Sequence, residues 1–352
     1  MVKSLEQLAP TFANSSVFGK AIALLDRIST EDANLLRVLT YHRVDETKAH
    51  PWLDPGLISA SPEVFESQMK YLADHYQPVS IFDVIEVLES NGQINLPARA
   101  VLITFDDAYQ DFEQHAWRIL QRYRIPVTLF VPTAFPDQPE RFFWWDKLFN
   151  ALHTTMKNEI ITPIGTFMIG TDASRRQANQ KLKSYIKSLS NTEAVGFVKD
   201  LESQLCVSSQ PNCVLGWKAL RKLANEGVTL APHTQTHPIM NHLSPSDMQH
   251  EAQGSFLDLQ REIGETPSVF AYPSGFHTKE VVNAVRVAGF KLAFTTERGI
   301  NLLGHTDSLR LRRINVGSRT SLPILHAQLL SATVHFHRLY SYLNKSLAII
   351  GK

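Results

Sequence analysis

The chain has little cysteine, no excess of either charge and no long apolar run, and each shortage removes a class of protein. Among 352 residues the only cysteines are Cys206 and Cys213, in the segment CVSSQPNC. With no C-x-x-C pair and no histidine at zinc-finger spacing, they read as ordinary thiols rather than a disulfide or structural zinc site. Basic residues number 35 and acidic ones 34, a formal charge of +1. No global field therefore draws nucleic acid or an anionic surface, and a neutral or mildly charged substrate is expected. Nothing approaches the roughly 20 apolar residues that span a bilayer. The opening segment MVKSLEQLAPTFANSSVFGKAIALLDRI lacks the unbroken apolar stretch and small-residue cleavage site of a secretory signal, so the expected location is the cytoplasm. A G-x-S-x-G elbow and a reactive-cysteine context are also missing, which leaves nucleophilic acyl transfer without a candidate.

What is present is an alternation of strand and helix signals around one large core, for which 43% hydrophobic content suffices. Leu35–Tyr41 and Ala100–Phe105 are short, β-prone apolar runs that stop abruptly at His42 and at Asp106-Asp107. Helical spacing fills Pro62–Leu88 and Phe112–Tyr123, and Val127–Val131 reads as the next strand. The rhythm pauses between about 136 and 212, where RRQANQKLKSYIKSL and the cluster Phe142-Phe143-Trp144-Trp145 suggest an insertion. It resumes with strands at Val228–Ala231, Ser268–Tyr272, Leu292–Thr295 and Leu309–Val316, separated by helices. Parallel strands with crossover helices follow from this order. The expected organisation is an N-terminal helical segment over 1–34, a main domain over 35–318 carrying the insertion, and a helical tail over 319–352. The tail, with Phe336, Leu339 and Tyr340, could rest on a membrane surface or pack on the domain.

Strand ends that carry reactive residues can converge at the C-terminal mouth of a barrel-like α/β fold. Two adjacent carboxylates after a buried strand repel each other unless a cation binds one and leaves the other free as a base. A helix N-cap plus a solvated carboxylate explains Asp106-Asp107 equally well when the pair is taken alone. In His233-Thr234-Gln235-Thr236-His237, a helical turn would put both imidazoles on one face, as a metal pair needs. The glutamate of H-E-x-x-H is absent, so a zincin protease is unsupported. Two histidines and one aspartate leave positions open for water and substrate, and such a metal would acidify its water and polarise an acyl carbonyl. The set suits zinc first, with iron, cobalt and nickel as alternatives.

Taken together, Thr104-Phe105-Asp106-Asp107, His233-Thr234-Gln235-Thr236-His237 and Phe270-Ala271-Tyr272-Pro273-Ser274-Gly275 resemble the polysaccharide deacetylase family, the NodB-homology group of carbohydrate esterase family four. The likeness covers about 35–316. It implies a distorted (β/α)7-type barrel, with Asp106 as general base and Asp107, His233 and His237 as ligands of one divalent metal ion. Two departures stand out. Where the family has Arg-x-Pro-aromatic this chain reads Ala271-Tyr272-Pro273-Ser274, so the arginine that orients the base is missing, and the backbone N–H of Ser274 is left as the oxyanion donor. The family's late Leu-x-His matches Leu303-Gly304-His305 by letters only, whereas deacetylases similar to those of biofilm poly-N-acetylglucosamine carry an early Tyr-His. Tyr41-His42 matches that arrangement, which makes His42 the general acid. Asp111 could orient a ligand histidine or cap a helix, and Trp144, Trp145 and Asp146 could wall a sugar site or fill the insertion core. The implied reaction removes an N-acetyl group from an amino sugar of a polysaccharide, oligosaccharide or lipid-linked precursor. The alternatives are an O-acetyl ester or formamide at the same site, or a carbohydrate-binding protein that has lost turnover.

Overall fold

The computed structural model describes residues 33–46, 49–207 and 213–331, with Leu24 alone ahead of them. Almost all of the segment expected over 1–34, and the tail beyond 331 with Phe336, Leu339 and Tyr340, lie outside the described residues.

Seven strands form the barrel: β1 Leu35–Tyr41, β2 Ala100–Phe105, β3 Val127–Val131, β4 Thr229–Pro232, β5 Val269–Ala271, β6 Leu292–Arg298 and β7 Leu311–Asn315. They lie in the order β5-β6-β7-β1-β2-β3-β4, every neighbouring pair parallel. Leu39 stands opposite Ile103, and Ile103 opposite Val127. Every residue of β1, β2 and β3 is buried. That double-sided burial is why these strands read as continuous apolar runs rather than alternating ones. One set of alternate positions, including Leu102, Phe130, Ala231, Ala271, Phe294 and Leu311, meets in a single interior cluster. The other, including Val101, Ile103, Leu129 and Leu230, joins the apolar faces of the surrounding helices.

The helical spacing over Pro62–Leu88 resolves into two helices, Pro62–His75 and Ile81–Glu89. Between them Gln77–Pro78 pairs with the start of β2. Proline offers no N–H to a continuing helix, and Ser80 caps the second one through a reciprocal box with Asp83. Between β3 and β4 the chain builds helices Trp144–Thr154, Asp172–Ile186 and Asn191–Leu205 and an antiparallel hairpin, Glu159–Thr162 with Gly165–Met168. Leu148, Leu152, Ile160, Leu182, Val198 and Leu201 give this segment an apolar cluster of its own. Among the described residues no helix is long and apolar enough to cross a membrane.

Candidate metal centre and hydrolytic site

The ends of β1, β2, β4 and β5 bring the polar residues to one mouth of the barrel. Beyond β2, the Asp106 amide still donates to the Tyr41 carbonyl at 2.9 Å. Asp107 and Ala108 then turn left-handed, with φ of 73° and 53°. Backbone of this kind costs on the order of 1 kcal/mol per residue and persists where its surroundings hold it. Beyond β4, the His233 amide donates to the Val131 carbonyl. The histidine pair meets across a turn rather than on the helical turn that its spacing suggested: Thr234 and His237 are left-handed, at 64° and 56°. The Thr234 hydroxyl accepts the His237 amide at 3.0 Å, and Glu251 accepts the amides of Gln235 and Thr236 at 2.8 and 2.9 Å. These side-chain acceptors replace the carbonyls of a helix, yet the two rings still lie 4.8 Å apart.

The resulting donor set is buried and electrostatically incomplete. Asp107 Oδ1 lies 3.6 Å from His233 Nε2 and 3.3 Å from His237 Nε2, and that oxygen has no hydrogen-bond partner. His233 Nδ1 is 2.8 Å from the Ala271 carbonyl. A carbonyl only accepts, so Nδ1 carries the proton and Nε2 turns a lone pair toward the carboxylate. This bond also crosses the seam between β4 and β5. Burial pushes the His233 imidazole down to about 4, and burial and the neighbouring His233 hold His237 well below its ordinary value. Burial, then the charges of Asp106 and Asp146, push the Asp107 carboxyl well up. An ionised Asp107 beside two neutral imidazoles is thus costly in this buried site, and without a cation the carboxyl tends to take up a proton. A divalent cation satisfies all three at once, and donor atoms from the trio lie within 4.8 Å of one another.

Asp106 is held differently. Arg313, on β7 and fully buried, grips both its oxygens at 2.9 and 2.8 Å and donates from Nε to the Thr295 carbonyl at 2.7 Å. Burial alone would raise the Asp106 carboxyl. The guanidinium, with His233 and His42, outweighs it and holds the group well below the usual carboxylate range. The arginine absent from the Tyr272-Pro273 segment is therefore supplied by another strand. His42 Nε2 approaches Asp106 Oδ2 to 4.0 Å. Burial lowers the His42 pKa and Arg313 adds to this, against the pull of Asp106. Ser274 has φ of 55° in the turn after β5 and, with His42, Asp106, Asp107, His233 and His237, lines a cavity of about 230 Å³.

The sequence model of polysaccharide deacetylases matches residues 93–293, more than half of the chain. The chain belongs to the polysaccharide deacetylase family. Its members are hydrolases that act on amide bonds of acetylated sugars. The polysaccharide-deacetylase-type protein YxkH of Bacillus subtilis is 21% identical over 273 residues, 77% of this chain and 68% of that one. The poly-β-1,6-N-acetyl-D-glucosamine N-deacetylase of Escherichia coli is 31% identical over 102 residues, 29% of this chain but only 14% of the relative. The Streptococcus pyogenes deacetylase PplD, solved with acetate, shares the fold at a TM-score of 0.57 and 21% identity, over 85% of this chain and 99% of that one.

Within this family frame, other expected residues find their places. Asp111 does not support a ligand histidine: it accepts from Arg43 Nε at 2.8 Å and from the Val44 amide at 3.0 Å. His305 is exposed in the turn before β7 and does not line the cavity. Trp144 and Trp145 do line it, and the Trp145 ring meets His237 edge-on at 5.0 Å. Behind Trp145 runs a chain of bonds: its indole donates to the Tyr109 hydroxyl at 2.9 Å, and that hydroxyl donates to Asp146 at 2.6 Å. Asp146 also accepts the Asp54 amide at 2.9 Å. Burial pushes the Asp146 carboxyl up to about 7, although the Tyr109 bond opposes the rise.

Proposed function

We propose that this chain is a divalent-metal-dependent deacetylase that hydrolyses the N-acetyl group of an amino sugar in a polysaccharide, oligosaccharide or lipid-linked glycan precursor. One observation carries the reading: Asp107 Oδ1 has no hydrogen-bond partner and lies 3.6 Å from His233 Nε2 and 3.3 Å from His237 Nε2, directly beside a carboxylate that Arg313 keeps ionised. The name of the Escherichia coli relative favours a poly-N-acetylglucosamine substrate.

Asp107, His233 and His237 would hold the ion, zinc first by ligand type, with iron, cobalt or nickel also suited. Bound there, it supplies Lewis acidity toward water and the acetyl oxygen. The chain's own groups do the rest. Asp106, fixed by the two-pronged Arg313 contact, accepts the proton of the water as the water's oxygen bonds to the acetyl carbon. The Ser274 N–H donates to the developing oxyanion. His42, from its position across Asp106, gives a proton to the amine as the carbon–nitrogen bond breaks. The products are acetate and a free amino sugar. Trp144 and Trp145 line the cavity and give it an aromatic wall against which a sugar ring can pack.

The test is acetate release from short N-acetylglucosamine oligomers by metal-reconstituted protein beside an Asp106→Asn control. Release that the control loses supports the reading. Metal-loaded protein that binds acetylated sugar and liberates no acetate contradicts it.

A further inference from the structure

The cavity has one wall that the reaction leaves unused. The insertion helix Asp172–Ile186 sends Lys183 to the cavity, and Lys187, at the helix C-cap four residues on, lines it too. Positions four apart share a helix face, so two ammonium groups border one opening. Like charges at this spacing repel, and their only evident compensation is partial. Lys183 forms an ion pair with the buried Asp54, whose amide is tied to Asp146. The Lys187 amide donates to the Lys183 carbonyl, but its ammonium makes no hydrogen bond or ion pair among the described residues. Burial, reinforced by Lys187, brings the Lys183 pKa down to about 8, and burial lowers that of Lys187 as well. Of the two cations at this lip, only Lys183 is therefore matched by a carboxylate. Elsewhere in the cavity the Asp106 charge is already balanced by Arg313.

We propose that Lys183 and Lys187 form an anion subsite of the catalytic cavity, and that the natural substrate carries a phosphate group within a sugar unit of the acetamide that is cleaved. The inference rests on the cavity being an acetamido-sugar site. Phosphate fits better than a carboxylate because its oxygens spread around one centre, so two ammonium groups a turn apart can share it as point charges, Lys183 while still paired with Asp54. A planar carboxylate is the usual partner of an arginine fork, which this lip lacks. The expected preference for a neutral or mildly charged substrate, drawn from the +1 net charge of the whole chain, does not register a local pair of this kind.

The test compares N-acetylglucosamine with N-acetylglucosamine 1-phosphate and 6-phosphate on metal-reconstituted wild-type protein, Lys187→Gln, Lys187→Glu and Lys187→Arg. The readout is the ratio of kcat/KM for phosphorylated over neutral sugar, which cancels any loss common to both. A ratio of about ten or more is expected in wild type for at least one phosphate ester, mainly through KM. It should fall to near one in Lys187→Gln and below one in Lys187→Glu, survive in Lys187→Arg, and decline with added salt. A wild-type ratio near one for both esters, or a preference that persists in Lys187→Glu, overturns the proposal. So does an equal advantage for N-acetylmuramic acid, whose anion is a carboxylate. Calorimetric binding of glucosamine 6-phosphate against glucosamine separates this from the deacetylase reading. Lys187-dependent phosphate binding without acetate release sinks the activity and keeps the subsite; the absence of any such binding sinks the subsite whatever the turnover.

Discussion

Replacing Arg313 with methionine tests the electrostatic frame of the site. The side chain is fully buried and Asp106 nearly so, so methionine fills a similar volume but abandons a carboxylate that has lost its two-pronged partner. Breaking a buried pair from one side costs about 3–5 kcal/mol, largely because the remaining charge stays out of water. Against a typical domain stability of about 5–15 kcal/mol, that is a major fraction. With a urea slope near 3 kcal/mol/M, the unfolding midpoint of metal-free protein should drop by about 1–1.7 M. Asp106→Asn should also destabilise, since it strands the guanidinium. The double variant should recover part of the loss, with a coupling of at least about 1 kcal/mol. The pH dependence has a definite sign. Asp106 has a folded pKa below its unfolded value near 4, so its stabilisation is present above that value and disappears as pH falls through the folded one. The gap between wild type and Arg313→Met should therefore narrow on acidification below about pH 4. Equal midpoints at neutral pH, or strictly additive single and double variants, would refute the reasoning.

Three further outcomes are expected. His42→Ala should lower kcat by about 10²–10⁴, the usual worth of a positioned acid, while metal content measured by mass spectrometry stays at the wild-type level; unchanged turnover would end that assignment. Zinc at 100 times its dissociation constant should stabilise the protein by about 2.7 kcal/mol in thermal melts, an effect that His237→Ala should abolish. Asp146, with a folded pKa raised by burial to about 7, contributes stability that is full below its unfolded value and is lost as pH rises through 7. In metal-free protein, Asp146→Asn should therefore gain on wild type between pH 5 and pH 8, and parallel stability curves would contradict this.

Much of the barrel was readable because parallel strands buried on both faces leave apolar runs, and those runs end where side chains reach the mouth. His42, Asp106-Asp107 and His233 are visible in this way. The arginine that clamps Asp106 was not, because it enters from β7, more than 200 residues away in sequence. The available signal was Arg313 inside the expected strand Leu309–Val316: on the buried face of a barrel strand an arginine needs an acid. The spacing of His233 and His237 suggested a helix, but the contact is made by a turn that Thr234 and Glu251 hold through side-chain hydrogen bonds, which periodicity does not encode. Trp145, Tyr109 and Asp146 form a joint network behind His237, although Tyr109 and Asp146 are 37 positions apart. Lys183 and Lys187 lie in the segment RRQANQKLKSYIKSL, which the sequence marked only as part of an insertion, and the fold shows that they border the cavity.

The most direct test of the central claim measures metal stoichiometry and acetate release together, by titrating zinc into stripped protein with an N-acetylglucosamine oligomer as substrate. The account predicts acetate release that rises with bound zinc and saturates at one equivalent, with both binding and release lost in Asp107→Asn, His233→Ala and His237→Ala. Zinc binding that survives these substitutions, or acetate release at full rate from metal-free protein, would contradict it.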